Sequence, residues 1–313
     1  MLSRHHSGGL ICRKPGRHNA GSTLMIVFWA ILLLSAAIIA WAQWIYRDLA
    51  IHADANHALE ARAMAHSGIT MALNPMVNKT TPELRHDFAA DLGYEVRMIS
   101  EGGKLNVNWL LQGEDPTKVA IFKHWLEQKG LKQQERDILT DCLLDWIDAD
   151  NLAHLNGVED RGTYHAANRP LLSVDEIAQV WGSAPLTHLP NWKDELTIYS
   201  NGPIDLTAAS AEVLRLIPGL SEGGIQLLLK KRQGPDGVEG TQDDYVFQSQ
   251  EEVMFYLGVT SPQQQQALTA LTTFNDKTMH ITCVGHSGKV SRQLEIVARK
   301  GGGTNSPILF WKE

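Results

Sequence analysis

From Leu24 to Ile45 the chain is apolar at every position except Ser35 and Gln43. Wound as a helix at about 1.5 Å per residue, this stretch would span about 33 Å, close to the hydrocarbon thickness of a bilayer. After Tyr46 the pattern becomes amphipathic, with Leu49, Ala53, Leu59, Ala61 and Met64 spaced among polar residues, and neither Gly nor Pro occurs between Ser22 and Ser67. One helix is therefore predicted to start in the membrane and run on as an exposed stem, until Gly68 and Pro75 break it.

Two later stretches alternate with a period near two and turn at Gly, the signature of half-buried strands in hairpins. Tyr94–Ile99 is predicted to turn at Gly102-Gly103 into Lys104–Asn108, and Met279–Val284 near Ser287-Gly288 into Val290–Arg299, with a last short strand at Ile308–Trp311. Between them the periodicity is helical, with candidates at 119–128, 133–146, 174–180, 209–216, 223–232 and 262–273. The predicted class is α+β: a long N-terminal helix and a small antiparallel sheet, interrupted by a large inserted α-helical domain. The expected divisions are 1–21 as a basic leader, 22–75 as membrane and stem helix, 76–113 and 276–313 as the two parts of the sheet, and 114–275 as the insertion.

Composition narrows the class. With 313 residues, 43% apolar and 20% charged, the chain can bury a substantial core and is neither low-complexity nor polytopic. Its net charge of −7 argues against a general nucleic-acid binder, since neutralising phosphates takes clustered cations. Residues 1–47 carry Arg4, Arg13, Lys14, Arg17 and Arg47 and no acid, so the rest is more acidic than the average. Positive charge ahead of the apolar run places the N-terminus in the cytoplasm and exports the chain beyond Ile45. Three cysteines allow at most one disulfide; Cys142 with Cys283 is one reading, two buried thiols the other.

Two export signals compete. Ala40-Trp41-Ala42 has the small-x-small form of a cleaved signal peptide, but the apolar run exceeds the usual core of such a signal. Alternatively, the basic leader followed by Gly21-Ser22-Thr23-Leu24-Met25-Ile26-Val27 resembles the class III signal of type IV pilins and type II secretion pseudopilins. That resemblance implies cutting after Gly21, with Ser22 as the new, methylated N-terminus. It departs at Ile26, where most pilins carry Glu; the departure is that of the K-type minor pseudopilin.

Further words agree in order and spacing. Gly103-Lys104-Leu105-Asn106-Val107-Asn108, Leu144-Asp145-Trp146-Ile147-Asp148-Ala149-Asp150-Asn151, Asn156-Gly157-Val158-Glu159 and Asn168-Arg169-Pro170-Leu171-Leu172-Ser173-Val174-Asp175-Glu176-Ile177 resemble the K component of general secretion. Read from the residues alone, Asp145 and Asp148 stand one turn apart near a helix end, and Ser173 with Glu176 forms a capping box with Leu172 as its staple.

Acidic loops supply the candidate chemistry. Asp148, Asp150, Glu159 and Asp160 offer carboxylates around Gly157, as a hard cation such as Ca²⁺ requires; the family resemblance also implies calcium in this domain. Asp236, Asp243 and Asp244, on a Gly-punctuated loop, offer a second set, although neither is an intact EF-hand. An enzymatic reading of Asp145, Asp148, Asp150 and His154 lacks a second acidic cluster or His pair, so no catalysis is expected. Ile204 to Arg232 resembles a helix-hairpin-helix unit, the basis of an alternative reading as a membrane-anchored DNA-uptake protein. Ser221 and Glu222 occupy its phosphate-binding turn, which favours a packing unit without nucleic acid.

The resemblance implies a non-catalytic minor pseudopilin of the inner membrane, its body periplasmic, that caps the pseudopilus tip and helps start its assembly. Its implied partners are the minor pseudopilins I and J, the major pseudopilin, the prepilin peptidase and the inner-membrane assembly platform.

Overall fold

The computed structural model describes residues 20–301 and 306–313, and only the backbone of residues 20–22 and Ala50. The leader cations and Cys12 lie outside the described residues, and Gly21 and Ser22 are described as helix backbone alone. Two compact units divide the chain, Met1–Asn56 and His57–Glu313.

Helix α1 runs from Ala20 to Leu73. In the first unit its apolar side chains are exposed all round, among them Leu24, Phe28, Trp29, Ile31 and Trp41. Among the described residues this is the one helix long and apolar enough to cross a membrane. Such a surface suits lipid or neighbouring apolar helices rather than water.

In the second unit the last turns of α1 pack on a five-stranded antiparallel sheet. Its strands are β1 (Arg85–Ala89), β2 (Leu92–Ser100), β9 (Thr278–Ser287), β10 (Val290–Arg299) and β11 (Ile308–Lys312), adjacent in that order. The helix does not break at Gly68, as the sequence suggested, but continues to Leu73 with Pro75 beyond its end. Gly68 serves contact instead: a Cβ there would come within 2.4 Å of Cys283 Sγ and 2.9 Å of Tyr94 and Val96. Opposite, a Cβ on Gly285 would lie 2.1 Å from the Ala61 carbonyl oxygen and 2.4 Å from the Ala65 nitrogen. Ala61, Ala65, Ile69 and Ala72 form the buried stripe of the helix. Small residues on both surfaces let backbone approach backbone, which outweighs the low helix propensity of Gly.

The second predicted hairpin and the last strand are present, with Ser287↔Val290 closing the turn and Gly288 at φ +57°. The first is not. After Gly102-Gly103 the chain leaves the sheet; β3 (Leu105–Asn106) pairs in parallel with β6 (Leu196–Thr197), and α2 (Val107–Leu111) follows at once. Asn106 decides this, accepting from Trp109 N at 3.1 Å as the helix cap while donating to the Ser200 carbonyl at 2.9 Å. Strand β1, whose residues are all exposed and so carry no alternation, takes the partner position on β2.

Between β2 and β9 lies the inserted domain, which also holds the short pairs β4 (Asp160–Arg161) with β5 (Tyr164–His165) and β7 (Ile204–Asp205) with β8 (Thr272–Thr273). Its main helices are α3 (Pro116–Gln128) and α4 (Gln133–Ile147), followed by α5 (Ala184–Thr187), α6 (Ala211–Leu214), α7 (Glu222–Arg232), α8 (Gln250–Tyr256) and α9 (Pro262–Thr269). Leu105, Val107, Leu110 and Leu111 belong to its core with Phe122, Trp125, Leu139 and Leu143, so the helical packing begins before residue 114. The stretch Val174–Gln179 is a 3₁₀ helix: Ser173 Oγ accepts from Asp175 N, and Glu176 turns to Leu172 N and Arg169 rather than closing the expected box. Leu172 is exposed and makes no staple; Leu171 is the buried neighbour.

Buried carboxylates tie the insertion to the sheet. Asp205, on β7 (Ile204–Asp205), accepts from Asp276 N at 2.6 Å, and Asp276 accepts from Asn201 N at 2.9 Å and Thr278 N at 2.8 Å. A Cβ on Gly102 would meet Asp276 Cβ at 2.4 Å, so the outgoing and returning chains touch at this point. Cys142 and Cys283 are both free and sit in separate cores, which removes the disulfide reading.

Candidate metal centre

Helix α4 places Asp145 on its buried face between Leu144 and Trp146, and Asp148 at its C-terminal cap. The loop after it folds back over the Asp145 carboxylate. Its Oδ1 accepts from His154 N at 2.9 Å and faces His154 Nδ1 at 2.6 Å, while Asn156 is held to Asp141 at 2.9 Å. A Cβ on Gly157 would fall 1.9 Å from Asp145 Oδ2, so only glycine lets the loop close here.

Among the described residues, ligand atoms of three His, Cys or acidic side chains come within 4.8 Å of one another in two places: Asp145, Asp148 and Glu159, and Glu114, Asp148 and His154. Asp145 is 0% exposed and Glu159 8%. Asp145 Oδ2, Asp148 Oδ1 and Glu159 Oε1 are all buried without a hydrogen-bond partner. Burial and then the neighbouring Asp150 push the Asp148 carboxyl up, and burial followed by the surrounding aspartates does the same for Glu159. Clustered carboxylates with orphaned oxygens, destabilised as anions, fit a hard divalent cation. His154 is pulled down by burial but raised on balance by its bonds to Asp145 and Glu114.

Of the residues selected from sequence, Asp148 and Glu159 are brought together. Asp150 stands beside them with Oδ1 accepting from Leu152 N, and the exposed Asp160 pairs with His165. Asp145, which the cation set omitted, is the most buried carboxylate of the cluster; its signal was a carboxylate amid Leu143, Leu144, Trp146 and Ile147. Glu114 joins from the turn after α2, a proximity no local spacing announces.

The second loop binds largely to itself. Asp236 Oδ1 accepts from Val238 N at 2.7 Å, Asp243 from Asp236 N at 3.0 Å and Thr241 Oγ1 at 2.6 Å, and Asp244 Oδ2 from Gly240 N at 2.8 Å. Lys79 Nζ lies 3.3 Å from Asp244, whose Oδ1 is buried without a partner. The turn before α7 is equally occupied: Ser221 accepts from Gly224 N, and Glu222, paired with Arg215 at 2.8 Å, is held down to about 2. Arg232 is buried against the Ala209 carbonyl and Glu239, and Lys231 lies over the Tyr245 ring at 3.6 Å. The groups a phosphate would use are thus engaged internally.

A long apolar helix continued onto a small antiparallel sheet, with a helical domain inserted between neighbouring strands, defines a pilin-like subunit carrying a large insertion. The family model described as Type II secretion system (T2SS), protein K matches residues 103–188. Type II secretion system protein K of Pectobacterium carotovorum subsp. carotovorum is 31% identical over 120 residues, 34% of this chain and 36% of that protein. Its counterpart in Pseudomonas aeruginosa is 25% identical over 252 residues, 71% of this chain and 73% of that one. A chain of the crystal structure of the GspK-GspI-GspJ complex from the enterotoxigenic Escherichia coli type 2 secretion system shares the fold, with a TM-score of 0.57 at 13% identity over 87% of this chain and 97% of that one. In sequence and in fold the chain is thus similar to protein K of type II secretion systems.

Proposed function

We propose that this protein is a non-catalytic minor pseudopilin that caps the pseudopilus tip and helps begin its assembly. The observation that carries this reading is the insertion of residues 101–277 between β2 and β9, a bulk that a filament subunit stacked above would have to clear. Ile26 supports it, since an apolar residue there offers no carboxylate to the N-terminal amine of a subunit above. The relatives are named as secretion components, and a solved chain of the same fold comes from a GspK-GspI-GspJ complex; the corresponding I and J subunits are the proposed partners here.

The major pseudopilin, the prepilin peptidase and the assembly platform complete the proposed partners, with cleavage between Gly21 and Ser22 leaving a single-pass anchor and a periplasmic body. N-terminal sequencing of the protein from its host is expected to begin at Ser22; a start at Gln43 would mean a secreted soluble protein. Tagged full-length protein extracted in detergent is expected to carry I and J subunits with it, and their absence would remove the partnership. Calcium is proposed as a structural ion at Asp145, Asp148 and Glu159, and at the Asp236–Asp244 loop. There it would clamp loops whose carboxylates otherwise repel. Chelation is expected to lower the melting temperature of the body, and an unchanged transition would remove both sites.

A further inference from the structure

The geometry points to a headgroup collar on the stem: Trp41, Gln43, Trp44, Tyr46 and Arg47 bind the phospholipid headgroup layer of the periplasmic leaflet and fix the depth of the helix. This rests on the single-pass anchor reading and adds to it the boundary at which the helix leaves the membrane.

The residue types carry the first part of the argument. From Leu24 to Ala40 only Trp29 and Ser35 have an N–H or O–H on the side chain, and the first acid beyond is Asp48. From Trp41 to Arg47 the five named side chains are polar or amphipathic, and all five are exposed. Indole and phenol rings settle at headgroup level, the ring in the acyl boundary and the N–H or O–H toward water. An Arg beside them reaches lipid phosphate with its guanidinium fork. Arg47 is available for this: the residues four away on either side are Gln43 and Ile51, and the adjacent Asp48 faces His52 at 3.7 Å.

Their arrangement favours lipid over a protein partner. At about 100° per residue, Trp41, Trp44, Arg47, Gln43 and Tyr46 stand at about 0°, 300°, 240°, 200° and 140° around α1, with Ile45 and Ala42 in the remaining gap. A neighbouring helix would be met by a stripe on one face, whereas groups on most sides of the axis suit a layer that surrounds it. Along the axis the five cover about 9 Å, enough to cross the interfacial layer of one leaflet, about 5–8 Å thick. Leu24–Ala40 is then the part in hydrocarbon, about 17 residues, at the short end of what spans a bilayer.

The test uses the full chain with Cys12→Ser, reconstituted in vesicles of phosphatidylcholine and phosphatidylglycerol; Cys142 and Cys283 are buried and stay unlabelled. Ile31→Cys, Ile38→Cys, Ala42→Cys, Ile45→Cys and Ile51→Cys, one at a time, carry a spin label whose collisions with oxygen and with a water-soluble nickel chelate report depth. Nickel access should be lipid-like at positions 31 and 38, water-like at 51, and cross over between 41 and 47. Combining Trp41→Leu, Trp44→Leu and Tyr46→Leu keeps the helix apolar and should move the crossover toward position 51 by about 5 Å, one helical turn. A crossover outside 41–47 would overturn the collar while the anchor reading stands. So would a crossover that the leucine variant leaves in place, which would assign the rings to a protein neighbour. Nickel access at positions 31 and 38 would remove the anchor reading itself, and the collar with it.

Discussion

The helix–sheet layer and the inserted domain hold together by opposite means. Where α1 meets the sheet, the contact is made of Ala61, Ala65, Gly68, Ala72 and Gly285, and clearance is the limiting quantity. The insertion is filled by Trp125, Phe122 and a dense set of leucines, while its short elements are joined by side chains such as Asn106, Asp205 and Asp276 that take up loose backbone donors. A layer built on close approach is broken by adding an atom; a domain built on volume is broken by removing several.

Four substitutions and one second-site change bear on this contrast, each read from thermal or urea unfolding of the full chain in detergent. The largest effect is expected at Trp125→Ala, which empties a fully buried site and frees Glu195 from its 2.7 Å bond to the indole nitrogen; the expected loss is about 3–5 kcal/mol. Gly68→Ala should destabilise by about 1–3 kcal/mol through overpacking, although the same change in an exposed helix would stabilise by about 1 kcal/mol. The sign alone decides it, and Cys283→Ala in the same chain should recover part of the loss by vacating the nearest atom.

Next in size is Glu101, 2% exposed at the junction of sheet and insertion, bonded to Lys104 at 2.6 Å and to His280 at 3.1 Å. Burial alone would raise its carboxyl, but the bonds from His280, Lys104 and Thr197 outweigh this and hold it below the ordinary glutamate value. A depressed folded value stabilises fully above the ordinary one, and that stability is lost as pH falls through the folded value. Glu101→Gln should therefore cost about 1–3 kcal/mol at neutral pH, with the gap to the parent closing in acid. At the small end, Leu155→Ala should change stability by less than about 0.5 kcal/mol, since that side chain is 96% exposed.

Much of this architecture is written in local patterns. The apolar run and its amphipathic continuation announce α1, and the alternation of residues 279–299 announces the hairpin at its observed turn. Where the structure departs from the local pattern, non-local contacts override local signals. Gly68 looks like a stop until the sheet beside it is seen, and Leu105 and Val107 look like alternate strand positions until Asn106 finds Ser200. Strand β1 is silent because both its faces are exposed. At the candidate metal centre the acidic loop was legible, but the choice among its carboxylates was not. Burial selects Asp145 and Glu159, and Glu114 arrives from another part of the chain.

The proposed tip position rests on the bulk of the insertion, which would leave no room for a further subunit above. Gold labelling of a tag on the insertion, viewed by electron microscopy on pseudopili assembled in the host, checks it. Label is expected at one end of each filament and none along its length; label distributed along the filament would remove the tip position.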